Sequence, residues 1–181
     1  MAPSPDEGTV DHNRYTSDYF AFTYLFPEQF EVMEDLMEGE EDEAKQAFVL
    51  LAAYGPPAED DTRQGIVIFA DKLEQAGRDT GGPSGYFAKL TGLLEKDGAK
   101  LVVANQEYTF AGRRFARAEL HRAGEDEGIQ AILVTLDRGY ALGFQFVASS
   151  EAQIDSLIAS LNTLKFTSAN VGAHGPGKSK Q

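Results

Sequence analysis

Cysteine and tryptophan are missing from this 181-residue chain, histidine occurs three times, and its 16 basic residues fall well short of its 29 acidic ones. Without cysteine there are no disulfides, thiolate metal ligands or cysteine nucleophiles, although the compartment is left open. A formal net charge of −13 and a pI near 4.6 argue against nucleic acid and anionic membrane surfaces as partners. No run of about 18 apolar residues is present, so no helical membrane span is expected. The start, Met1-Ala2-Pro3-Ser4-Pro5-Asp6-Glu7-Gly8, has neither the basic nor the apolar region of a signal peptide. Its proline-rich, polar character favours a periplasmic or secreted protein whose leader has been removed, with a cytoplasmic protein as the alternative.

What is there divides into a disordered leader over residues 1–13, a single domain over 14–167 and a disordered tail over 168–181. A core of that size removes about 70% of the unfolded chain's surface from water, so it needs no staple. The strongest local signal is a hairpin: residues 129–136, a three-residue turn Asp137-Arg138-Gly139, and residues 140–148. That turn predicts a register pairing Leu136 with Tyr140, Val134 with Leu142 and Ile132 with Phe144, all on one large apolar face with Phe146. A helix follows, capped by Ser150 with Gln153 three residues on, and its stripe Ile154, Leu157, Ile158 and Leu161 would cover that face. Burying those four side chains contributes on the order of 6–10 kcal/mol gross.

Earlier in the chain, residues 19–26 alternate with Phe20, Phe22, Tyr24 and Phe26 on one face, a strand ended by Pro27. Residues 31–43 hold eight acidic residues and no basic one, with Met33, Leu36 and Met37 at helical spacing. They read as a short helix with a solvated face, since an EF-hand's alternating ligands around a central glycine are not present. Residues 48–54 and 66–70 are apolar on both faces, as strands covered from two sides are. The run over 77–85 is glycine-rich but has no Gly-Lys-Ser/Thr ending and no GxGxxG spacing, so it reads as a connection. A helix over 83–97 carries Tyr86, Phe87, Leu90, Leu93 and Leu94, with Gly98 as its terminator. Strands over 106–110 and 113–122 then lead into the hairpin. Cover is therefore needed on both sides of one sheet, an α+β architecture with an antiparallel β-sheet sandwiched between α-helices (α/β/α).

Two stretches together carry a family pattern: Tyr15-x3-Tyr19-Phe20-x-Phe22-x-Tyr24-x-Phe26-Pro27, and the C-terminal hairpin, Ser150 helix and closing Leu161-x2-Leu164-x-Phe166. The arrangement resembles the PsbP-like superfamily, which includes the extrinsic photosystem II subunit, bacterial DcrB-type lipoproteins and Ran-binding proteins of the same fold. That group often has tryptophan after the strand-ending proline, where this chain has Phe30. The resemblance covers most of residues 15–167. It implies the sandwich just described and a non-enzymatic accessory or binding role, and it carries over no catalytic residue.

For chemistry, His12, His121 and His174 lie in the leader, a strand and the tail, so no metal site and no cofactor is expected. No GxSxG occurs. Glu119 and His121 share a strand face with Arg113, Phe115 and Arg117, a pattern read as a cross-strand ionic ladder rather than an acid–base pair. Arg113, Arg114, Arg117 and Arg122 stand out in so acidic a chain. They are read chiefly as ion-pairing with carboxylates such as Glu125-Asp126-Glu127, and alternatively as a patch for an acidic peptide. Candidate binding residues are accordingly Arg113, Arg114, Arg117 and His121. The expected function is a non-catalytic binding or accessory domain of an exported bacterial protein, with a protein or peptide partner. The alternatives are an intracellular chaperone-like adaptor or a small hydrolase using Glu119 and His121.

Overall fold

The computed structural model describes residues 4–37, 47–73, 83–122 and 128–167. In chain order, the first half holds β1 (Gly8–Asp11), β2 (Arg14–Ser17), β3 (Phe22–Leu25), β4 (Glu31–Val32), α1 (Glu34–Met37), β5 (Ala47–Tyr54) and β6 (Gly65–Lys72). The second half holds α2 (Pro83–Lys96), β7 (Lys100–Phe110), β8 (Arg113–Arg122), β9 (Gly128–Asp137), β10 (Tyr140–Ala148), α3 (Glu151–Ala159), a 3-10 turn (Ser160–Thr163) and β11 (Lys165–Phe166).

The β9–β10 hairpin sits at the middle of a seven-stranded antiparallel sheet ordered β4-β5-β6-β10-β9-β8-β7. Its register differs from the expected one by a single residue. Tyr140 pairs with Asp137, Leu142 with Thr135, Phe144 with Leu133 and Phe146 with Ala131. The cause is a two-residue turn, with Arg138 at φ 50° and Gly139 at φ 83°, the backbone of a type I′ hairpin. Arg138 accepts this left-handed conformation while its guanidinium donates to the Tyr19 carbonyl and lies 5.7 Å from the Tyr19 ring. A one-residue slip exchanges faces, so the hairpin is apolar on both sides. Leu133, Leu142, Phe144 and Phe146 belong to one core cluster, and Ile132, Val134 and Ala141 to another. On the second face Gly143 lies opposite Phe69, whose ring occupies the space a Cβ at Gly143 would need.

Each face has its own cover. Helix α2 packs on β7, β8 and β9, placing Phe87 on Ala116, Ala118 and Leu120. Tyr86 of α2 donates to Asp71 at the end of β6, and Gly98 at φ 92° lets the chain leave the helix. The other face is covered by α3 and by a second sheet, four strands in the order β1-β2-β3-β11, which the one-sheet expectation did not include. The segment expected as a disordered leader supplies β1, paired with β2 from Gly8↔Ser17 to Asp11↔Arg14. Residues 19–26 keep their aromatic face, with Phe20, Phe22, Tyr24 and Phe26 buried, although the strand itself is the shorter β3. The whole is α+β, with antiparallel sheets between helices. The tail over 168–181, the glycine-rich run up to residue 82 and residues 38–46 of the acidic stretch lie outside the described residues.

The C-terminal helix begins as expected. Ser150 Oγ accepts the Gln153 amide at 3.3 Å, while Gln153 Oε1 accepts from Ser149 N at 3.1 Å, one residue earlier than in the usual capping box. Ser150→Ala should cost about 1 kcal/mol in a denaturant melt; no change would show that the Gln153–Ser149 bonds suffice.

Burial pushes the phenols of Tyr15 and Tyr24 far above their ordinary value, and at Tyr24 a hydrogen bond to Ser160 opposes it. The sign follows from linkage. Unfolded tyrosines lose their protons near pH 10 while these two keep theirs, so stability holds below about pH 10 and falls as pH rises beyond it. Tyr24→Phe should flatten that alkaline slope in melts across the range; an unchanged slope would place the effect elsewhere.

Candidate functional site

The residues singled out by sequence lie on β8, and strand alternation sorts them first. Phe115 and Glu119 are buried towards α3, while Ala116, Ala118 and Leu120 are buried towards α2. Arg113, Arg117 and His121 therefore share the α3 face, and Arg114 and Arg122 the opposite one. The four arginines do not form one patch.

Each of the three candidate arginines has a carboxylate close by. Arg113 Nη1 lies 2.9 Å from Asp137 Oδ2, and its guanidinium sits 3.8 Å from the centre of the Phe166 ring. Arg113 thereby ties the rim of the large sheet to the last strand of the small one. Arg114 Nη1 is 3.8 Å from Glu107 of β7, and both side chains are largely exposed. Arg117 Nη2 is 3.2 Å from Glu119 Oε2 and 4.0 Å from Asp155 of α3, and its guanidinium lies 5.5 Å from the Tyr108 ring. The Glu125–Glu127 partners considered from sequence lie outside the described residues.

Glu119 has both oxygens engaged. Oε2 faces Arg117, and Oε1 is 3.2 Å from His121 Nε2, with the Glu119 side chain only 8% exposed. The ladder is not the cross-strand one expected. It runs along β8 itself, at alternate residues, because the β9 positions opposite Arg117, Glu119 and His121 are Leu133, Ala131 and Ile129. Acidic company comes from α3 instead, where Glu151 and Asp155 stand one turn apart. Ligand atoms of Glu119, His121 and Glu151 lie within 4.8 Å of one another, a spacing a divalent cation could span. The Arg117 guanidinium on Glu119 opposes that use. Glu151 was not legible as a neighbour of His121, since nothing in sequence sets how α3 crosses β8.

A second concavity was not foreseen. At one end of the large sheet Arg63, Arg122, Gln130, Gln145, Val147 and neighbouring backbone line a cleft of about 430 Å³. Of these residues only Arg122 had been marked by sequence, for its charge.

No protein-family model and no curated protein matches the chain. Solved structures do. The solution structure of cyanobacterial PsbP (CyanoP) from Synechocystis sp. PCC 6803 superposes with a TM-score of 0.56 at 12% identity, over 85% of this chain and 91% of that one. LpqN, described as involved in cell envelope biogenesis of Mycobacterium tuberculosis, gives a TM-score of 0.43 at 11% identity over 80% and 82%. A Bacteroides thetaiotaomicron protein gives 0.39 at 18% identity, this chain spanning 46% of its length. The CyanoP superposition, extending over most of both molecules, identifies the architecture: this chain has the PsbP-like fold.

Proposed function

We propose that this chain is a non-catalytic binding or accessory domain of an exported bacterial protein, acting on a protein or peptide partner. The observation that carries this reading is the state of Glu119. The acid, base and cation that sequence brought together are locked into one another, with both carboxylate oxygens taken and Asp155 of α3 above Arg117. A general base must reach its substrate's proton, and this carboxylate is buried against its own neighbours. The PsbP-like fold adds support as the framework of an accessory protein.

Arg113, Arg117 and His121 on one face of β8, and Arg114 on the other, are the proposed contact residues, so each face is tested by its own variant. Arg114 is the cleanest probe, its side chain being 77% exposed and its Glu107 pair distant. Capture of an acidic partner by the immobilised chain should be lost with Arg114→Glu and Arg113→Ala. Unchanged capture by both variants would remove both faces of β8 from the reading. Turnover that vanishes with His121→Gln in a fully folded protein would replace the reading with the hydrolase alternative. For export, fractionation of cells expressing the natural gene should place the product outside the cytoplasm; recovery in the cytoplasm would favour the adaptor alternative.

A further inference from the structure

Helix α2 covers its face of the large sheet over β7, β8 and β9. Beyond that cover lies the cleft of about 430 Å³, where β6 and β9 begin and β8 and β10 finish. Its volume is in the range that holds small organic ligands. Gln130 is paired with Val147 and Gln145 with Ile132, so alternation puts Gln130, Gln145 and Val147 on one floor. Gln130 is 9% exposed, a buried amide within the lining.

Two cations flank this floor. Arg122 ends β8, and Arg63 stands two residues before β6, with β9 and β10 between them. Three strand spacings, about 14 Å, separate the two backbones. Arg63 Nε donates to the Gly55 carbonyl at 2.8 Å, which fixes the plane of its guanidinium. Its Nη2 has Glu31 at 3.9 Å, from a side chain 76% exposed. The described lining of this cleft contains the two arginines, Arg63 and Arg122.

A guanidinium fork matches a carboxylate with two parallel hydrogen bonds. Glutamine amides donate and accept together, as a peptide group requires of its surroundings. Val147 offers apolar contact to the body of an organic molecule, which inorganic phosphate would not use. We propose that this cleft binds a small carboxylate-bearing ligand with amide groups, of which the C-terminal end of a peptide is the simplest case. The assignment deepens the binding-domain reading and rests on it.

The test is an amide-resolved NMR titration of the full chain with trialanine as free acid, trialanine with an amidated C-terminus, citrate and inorganic phosphate. The free acid should give saturable shifts at Gly128, Gln130, Gln145 and Val147, and amidation should weaken them at least tenfold. Arg63→Ala and Arg122→Gln should each weaken binding at least tenfold. Arg122→Gln is included because Arg63→Ala also removes the Gly55 bond and could disturb the fold. Weaker saturation by citrate than by trialanine supports the carboxylate chemistry together with the amide contacts, and tighter binding of citrate overturns the assignment. Tighter binding of phosphate than of either, no saturable shift from any probe, or full binding by Arg122→Gln overturns the assignment. Partner capture that survives a failed titration would leave the binding-domain reading standing. Turnover lost with His121→Gln despite intact cleft binding would instead overturn that reading alone.

Discussion

Phe144→Ala will unfold at a lower denaturant concentration than the parent, with the unfolding free energy down by about 3–5 kcal/mol. Phe144 is fully buried at the middle of the central strand of the large sheet. Its ring centre lies 5.9 Å from Phe22, 5.9 Å from Tyr24 and 6.0 Å from Phe115. Two of those partners belong to β3 of the small sheet and one to β8, so a single side chain joins three strands in two sheets. Truncation removes the transfer free energy of the ring and leaves a void lined by aromatics from elements that cannot all close on it. Phe144→Leu should recover a large part of the loss, because much of the volume returns without the edge-on ring contacts. Equilibrium urea unfolding of the three proteins checks this. A loss below about 1 kcal/mol for the alanine variant would mean that the two sheets are not packed through Phe144.

Glu119→Ala should be nearly as damaging, costing about 3–5 kcal/mol, because it strands a mostly buried Arg117 cation. The Arg117 side chain is 15% exposed, and its Nε is buried without a hydrogen-bond partner among the described residues. Without Glu119, the acidic group left beside Arg117 among the described residues is Asp155, at 4.0 Å on an exposed helix position. The companion double variant Arg117→Met/Glu119→Leu is the more informative one. Replacing a buried ion pair by apolar side chains of similar volume is often neutral, so this protein should be markedly more stable than Glu119→Ala. If the double variant also retains partner binding, the ladder is structural. If it folds well but loses a measured activity that Phe144→Leu keeps, the Arg117–Glu119 pair has a chemical role.

The fold was legible wherever one face of an element had to be buried. The stripe of α3, the aromatic face around Tyr24, the doubly apolar β5 and β6 and the limits of α2 were all readable from side-chain periodicity. What failed was decided by backbone. The hairpin register turned on Arg138 taking a left-handed conformation, for which arginine gives no signal, whereas Gly139 was foreseen because glycine does. Strand β1 escaped because it is polar and mostly exposed, held by ladder bonds to β2 and not by a buried face. The first part of β7 escaped because its register shifts between Leu101 and Val103 and again before Gln106 break the period-two alternation. At the candidate site, the Arg117–Glu119–His121 grouping follows from strand period alone, while Glu151 and the cleft between Arg63 and Arg122 arise from tertiary crossings. Residues 59 positions apart acquire a common wall only once β6, β10, β9 and β8 lie side by side.

The pairing of β3 with β11 has a temporal consequence. Phe22 meets Phe166, the Leu25 amide donates to Thr163 Oγ1 at 3.0 Å, the Tyr24 hydroxyl is 2.6 Å from Ser160 Oγ, and the Thr167 amide closes on the Ala21 carbonyl at 2.8 Å. Strands β1 to β3 therefore leave a ribosome well before β11 and wait for it before their sheet is complete. Joining segments so distant in sequence is slow, since the entropy of closing the intervening chain must be met before the contact is made. During that interval the aromatic side chains of β3 and its neighbours have no finished cover, and a nascent chain in this state is a natural client for a holding chaperone.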